Sequence, residues 1–77
     1  MTNDESKYYS DMEDLFATPG WKTVIEEIKQ EIYELQAQAL EAATWEAVCE
    51  YRGKAEALAY FVNLADVIDM QKSNALL

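Results

Sequence analysis

The feature that most constrains this chain is a run of apolar residues spaced alternately four and three positions apart. The run continues through three heptads without a fault, which keeps one stripe of an α-helix apolar along its whole length. Its members are Trp21, Ile25, Ile28, Ile32, Leu35, Ala39 and Ala42. Glu, Gln and Lys fill most of the opposite face. The spacing therefore predicts a helix over residues 19–42 that packs on another helix through a coiled-coil-like seam.

Two capping signals precede this helix. Thr18 followed by Pro19 is typical of a helix start, since Thr is a good N-cap and Pro at the first helical position loses no hydrogen bond. Ser10 and Glu13 have the spacing of a capping box and predict a short helix over residues 11–17. Residues 1–9 have no helical period and are expected to form a flexible arm.

The seam loses its phase after residue 42. Continuing the heptads would place Glu46, Cys49 and Gly53 in the apolar stripe. Thr44 can cap a new helix, so we expect a tight turn at residues 43–44 and a second long helix over residues 45–70. The alternative is one unbroken helix over residues 19–70, because neither Gly nor Pro enforces the turn.

The second long helix has two apolar sides. One side continues a seam, and the other consists of Ala57, Tyr60, Leu64 and Val67. A single partner helix cannot cover both sides, so the second side is expected to face another chain. Trp45 is also expected to contact a partner, because its neighbours at the turn are small. The predicted core consists of Trp21, Ile25, Ile28, Ile32, Leu35, Leu58, Phe61, Val62 and Ile68.

These patterns together predict an all-α fold, an antiparallel two-helix hairpin with a short N-terminal helix. The helical domain is expected to span residues 10–72, and residues 73–77 are expected to form a C-terminal tail.

Composition excludes several classes of function. The chain has 77 residues, a net charge of −9, one Cys and no His. A structural zinc site needs about four Cys or His ligands, and a His-based catalytic triad is impossible. Direct nucleic-acid binding needs a basic footprint. No apolar run is long enough to span a membrane, and the first residues do not have the pattern of a secretory signal. We therefore expect no catalytic residue, metal or cofactor.

The groups that could carry chemistry have simpler interpretations. The Glu residues of the first long helix lie on its polar face and are expected to be solvated. Cys49 has no nearby base and is expected to fill space. Arg52 and Lys54 can form helical ion pairs with Glu56 and Glu50. Gly53 inside a helix costs about 0.5–1 kcal/mol relative to Ala, which predicts close approach of another backbone.

Two segments carry a resemblance. Residues 15–22 read LFATPGWK, and residues 52–58 read RGKAEAL, followed by Phe61 and Leu64. Together, over about residues 12–70, the chain resembles small acidic helical proteins that tailed bacteriophages encode near their head and portal genes. The resemblance implies a phage protein of the virion or its assembly, found in the virion or the host cytoplasm, and it assigns no functional residue.

The expected function is non-enzymatic. The chain would dock by helix packing on a larger phage structural protein of the portal, head or neck, and would self-associate. The alternative is an acidic protein that mimics DNA charge and inhibits a host nucleic-acid enzyme.

Overall fold

The computed structural model describes residues 1–76, and all the regular structure in that range is helical. Four helices follow one another with short connections. They are α1 (Asn3–Phe16), α2 (Pro19–Glu41), α3 (Trp45–Val62) and α4 (Leu64–Leu76).

Threonine side chains cap the starts of α2 and α3. The Thr18 hydroxyl accepts a hydrogen bond of 3.1 Å from the Trp21 N–H, and the Thr44 hydroxyl accepts one of 3.1 Å from the Ala47 N–H. Each cap satisfies an N–H that has no partner within the helix. Residues 42–44 separate α2 from α3, and Ala42 has an extended backbone. The unbroken helix over residues 19–70 therefore does not form.

The N-terminal helix is longer than the sequence analysis predicts. It begins at Asn3, so residues 3–9 are helical where a flexible arm was predicted. The physical reason is an N-cap at Thr2, whose hydroxyl accepts a hydrogen bond of 3.1 Å from the Glu5 N–H. The acidic side chains of Asp4 and Glu5 in the first turn also stabilise the helix, because they interact favourably with the positive end of its dipole. Ser10 lies inside α1 and caps nothing.

The predicted second long helix is divided at Asn63 into α3 and α4. The Asn63 N–H donates to the Ala59 carbonyl at 3.1 Å, and the Asn63 carbonyl accepts from the Val67 N–H at 3.0 Å. Helical hydrogen bonding thus continues across Asn63, although its backbone lies in the bridge region. Helix α4 includes residues 73–76 of the predicted tail; Leu77, the last residue of that tail, lies outside the described residues.

Packing pairs each helix with specific neighbours. Helix α2 packs on α3 over the largest contact, α1 packs on α4, and smaller contacts join α1 to α2 and α3 to α4. The Phe16 and Trp21 rings lie 5.3 Å apart between centroids, so Trp21 packs on α1. The backbones of α2 and α4 do not pack directly on each other within residues 1–76. Phe16 also borders a surface depression together with Ile68 of α4.

The molecule is thin and elongated. Its Cα atoms extend over 52 × 27 × 14 Å, and its radius of gyration is 16.4 Å. A compact chain of this length would have a radius of gyration of about 11.5 Å. Two packed helices measure about 13–15 Å across their Cα atoms. The chain is therefore no more than two helices deep in its thinnest direction, and no helix can be enclosed on all sides.

The core is correspondingly small. Leu35, Ala55 and Ile68 are buried, with 6–7 % of each residue exposed. The other predicted core residues are half-buried, with one exception; they are Trp21, Ile25, Ile28, Ile32, Leu58 and Val62. The exception is Phe61, which is 45 % exposed, so its core assignment is wrong. At 3.6 residues per turn Phe61 points about 120° away from Ala55, outside the side that α2 covers.

Matched leucine truncations on α2 test this description of the core. Leu35→Ala is expected to lower the free energy of unfolding by about 2–3 kcal/mol, because it removes buried methyl groups and leaves a cavity. Leu40→Ala, the same change where the side chain is 89 % exposed, is expected to alter it by less than about 0.5 kcal/mol. Urea denaturation followed by circular dichroism measures both. Equal effects of the two substitutions would contradict the assigned face of α2.

Candidate interaction surface

No charged or polar residue within residues 1–76 is buried. Cys49 is a free, exposed thiol on α3; the filler role expected for it is therefore not seen within the chain. No group of three or more acidic or sulfur ligands in this range is placed to hold a metal ion. The Glu residues of the α2 polar face are exposed; they are Glu26, Glu27, Glu31, Glu34 and Glu41. What the chain offers a partner is therefore charge and apolar surface.

The predicted interface residues differ in exposure. Trp45, the first residue of α3, is 70 % exposed, Tyr60 is 55 % exposed and Ala57 is exposed. Leu64 and Val67, on α4, are half-buried. Whether any of them contacts a partner stays a prediction.

One side of α3 is turned away from α2. Buried Ala55 marks the side that faces α2, because it borders a depression together with Ile32 and Gln36 of that helix. At 100° per residue, four of the residues from 53 to 64 lie between about 140° and 200° around the helix from Ala55. These residues, which we call the outer stripe, are Gly53, Ala57, Tyr60 and Leu64. Helix α2 therefore leaves Gly53, Tyr60 and Leu64 uncovered, whereas Ala57, at one edge of the outer stripe, borders a depression together with Leu35 and Gln38 of α2.

Helix α1 packs on a different side of the helical rod that α3 and α4 form together. Ile68 is buried on α4, thirteen residues after Ala55, and so points about 140° away from it if helical geometry continues through Asn63. Lys72 Nζ lies 2.6 Å from Glu13 Oε1 and joins α4 to α1. The hydrogen bond to Glu13, and then the Coulomb attraction, raise the pKa of Lys72 above its ordinary value. Helix α1 thus covers part of α4, and helix α2 covers part of α3.

Aromatic and charged side chains lie beside the outer stripe. The rings of Tyr60 and Phe61 meet edge to face, with centroids 5.8 Å apart. Lys54 Nζ lies 3.3 Å from Glu50 Oε1, which is one of the two expected ion pairs. The other, Arg52 with Glu56, is not formed among the described residues. The stripe therefore contains one large, partly exposed ring, that of Tyr60, and adjoins a second, that of Phe61.

A second apolar feature lies at the connection between α2 and α3. Leu40 is 89 % exposed near the end of α2, and Trp45 is 70 % exposed at the start of α3. We call these two residues the turn-end pair. The exposure of Leu40 was not predicted from the sequence. The signal was present, because Leu40 follows Leu35 by five residues and so points about 140° away from the seam.

Charge is distributed unevenly over the chain. Residues 51–77 contain three basic and three acidic side chains, so the net charge of −9 resides in residues 1–50. Glu41 directly follows Leu40, Glu46 directly follows Trp45, and both are exposed. The outer stripe, in contrast, belongs to the neutral part of the chain.

Gly53 has no packing partner in this chain. A Cβ atom built on it would meet nothing within 4 Å, so the predicted close approach of another backbone is not found in the structure. Its φ is not positive, so backbone conformation does not require glycine either. Gly53 therefore weakens α3 without a compensating contact inside the chain.

Replacing this glycine tests that conclusion. Gly53→Ala is expected to raise the free energy of unfolding by about 0.5–1 kcal/mol, since alanine loses less backbone entropy in a helix interior. Gly20→Ala, in the first turn of α2 and equally free of neighbours, is the control and should gain less. Urea denaturation at micromolar concentration measures both. A loss of stability for Gly53→Ala would reveal a close contact that the structure lacks.

Within residues 1–76, no helix combines the length and apolar character needed to cross a membrane.

Comparison with known proteins adds no identity: no protein family, no curated protein and no solved structure matches the chain.

Proposed function

We propose that the chain is a non-enzymatic phage virion or assembly protein that docks by helix packing on a larger structural protein of the portal, head or neck. The observation that carries the docking function is the amount of apolar surface left outside. The resemblance of residues 15–22 and 52–64 to small acidic phage proteins supplies the phage context.

The exposed area supports docking quantitatively. A folded monomer of 8.8 kDa is expected to expose about 4,800 Å², whereas the chain exposes 5807 Å². The excess, about 1,000 Å², is comparable to the roughly 800 Å² that one partner buries in a standard protein–protein interface. Contact with another chain would restore the burial that the thin shape prevents.

The turn-end pair is the part of the surface best suited to a larger partner. Trp is enriched at binding hot spots, and a Trp that is 70 % exposed gains the most from entering a pocket. Glu41 and Glu46 beside the pair favour a pocket with basic groups at its rim. The partner surface is therefore an apolar pocket surrounded by Lys or Arg.

We further infer that α2 and α3 run antiparallel and form the hairpin that presents this pair. Lys29 and Tyr33 share a surface depression with Val62 and Asn63. Later on α2, Gln38 shares another depression with Tyr51, near the start of α3. Positions that advance along α2 thus match positions that recede along α3, which supports an antiparallel pair.

A distance measurement tests the hairpin. Spin labels at Lys29→Cys and Asn63→Cys, with Cys49→Ala to remove the native thiol, are expected to report a separation several times shorter than about 51 Å. That longer value is the spacing of two sites 34 residues apart on one continuous helix. A distance distribution centred near the continuous-helix value would contradict the hairpin. Circular dichroism of the unlabelled variants controls for folding.

Incorporation into particles tests the function. In a phage that carries this sequence, mass spectrometry of purified particles or assembly intermediates is expected to find the chain in stoichiometric amounts. Trp45→Ala and Leu40→Ala together should reduce incorporation at least tenfold, whereas Tyr33→Ala, which truncates another exposed aromatic residue, should not. Absence from particles and intermediates would overturn the proposal. Absence together with salt-sensitive binding to a host nucleic-acid enzyme would favour the DNA-mimic alternative.

A further inference from the structure

We propose that the outer stripe of α3 is a self-association surface through which two copies of the chain pair about a two-fold axis, with their α3 helices antiparallel. This inference gives the expected self-association a site and a geometry. It uses a different surface from the turn-end pair, so either proposal can fail without the other.

The outer stripe has the exposure that such a contact needs. Tyr60 is 55 % exposed, Gly53 and Ala57 are exposed, and Phe61 beside the stripe is 45 % exposed. Gly53, Tyr60 and Phe61 lie on parts of α3 that α2 does not cover, Ala57 lies at the edge of the α2 contact, and half-buried Leu64 extends the stripe onto α4. A helix with one buried side and a second apolar side open to water is typical of a helix that packs on a further element.

Charge identifies a second copy as the occupant. Residues 51–77 have no net charge, while residues 1–50 carry the whole −9. Two copies that meet through α3 keep their acidic α2 helices apart, which minimises repulsion. A strongly basic partner would instead be attracted to the exposed Glu residues of α2. The neutral surface therefore suits a copy of the same chain better than a charged partner.

The order of side-chain sizes along the stripe fits an antiparallel pair. Gly53 and Ala57 form its small half, and Tyr60 and Leu64 form its bulky half. A two-fold axis near the middle of the stripe places the bulky half of each copy over the small half of the other. Residue i then meets residue j and residue j meets residue i, as a two-fold contact requires.

Gly53 acquires a role in this arrangement. Nothing lies within 4 Å of a Cβ built on it, so its helix-weakening effect has no compensation in a single chain. A bulky side chain from a second α3 would occupy this open space. The backbone of a second copy could then approach Gly53 closely. The close approach that the glycine predicts would thus occur between two copies and not within one chain.

Sedimentation equilibrium of the full chain over a concentration series tests the proposal. The unmodified chain is expected to be a dimer in the upper part of the range. Tyr60→Glu and Leu64→Glu should each raise the dissociation constant at least tenfold, because each would bury an unpaired charge in the contact. Leu40→Glu is the control, since it adds the same charge at an exposed apolar residue outside the stripe. Circular dichroism verifies that each variant keeps its helices.

Gly53→Gln separates association from folding. Glutamine is a better helix former than glycine, and a Cβ atom at this position meets nothing within 4 Å inside the chain, so the monomer should keep its stability. The same side chain would obstruct the second copy and should weaken dimerisation at least tenfold. A Gly53→Gln dimer as strong as the unmodified one would overturn the antiparallel register.

Salt dependence and stoichiometry provide two further tests of the proposed dimer. Screening should strengthen the dimer, because two copies of net charge −9 repel. Dissociation by salt would indicate an ion-paired contact and contradict the neutral stripe. A monomer at all concentrations, or a dimer that Leu40→Glu disrupts and Leu64→Glu does not, would also overturn the proposal.

Discussion

Helix α3 and its continuation α4 form the rod on which the rest of the structure depends. Helix α2 packs on one side of this rod and buries Ala55, and α1 packs on another side where Ile68 is buried. Because each covering helix reaches only part of the rod, the molecule is long and thin and has a small core. Hydrophobic burial scales with the area removed from water, so such a chain gains less stability from folding alone than a compact one does.

The same geometry connects fold and proposed function. A chain two helices deep exposes apolar side chains that a deeper fold would enclose, and two groups of these side chains have different electrostatic surroundings. The turn-end pair lies among acidic residues, whereas the outer stripe lies in the neutral part of the chain. One chain can thus present a charged and a neutral contact at the same time, which suits a small component that must join copies of itself to something larger.

Local signals in the sequence predict much of this fold, and long-range ones do not. The apolar spacing and the caps at Thr18 and Thr44 specify α2 and the start of α3, because capping and periodicity depend on residues a few positions apart. The cap at Thr2 was missed because the residues after it have no apolar period. The interruption at Asn63 carries no Gly or Pro signal. For the interface, exposure of Tyr60 follows from periodicity and that of Trp45 from its small neighbours at the turn, but whether Leu64 is covered depends on where α1 packs.

The contact between α1 and α4 is held by residues far apart in the chain, including Glu13 and Lys72. The contact between α2 and α3 closes across only three connecting residues. Closing a short connection loses less entropy, so α2 and α3 can assemble before α1 returns to α4. The contact between α1 and α4 is then expected to open more readily than the contact between α2 and α3. Its opening would uncover Phe16 and Ile68 while leaving the paired helices intact, and hydrogen exchange would be faster in α1 and α4 than in the facing halves of α2 and α3.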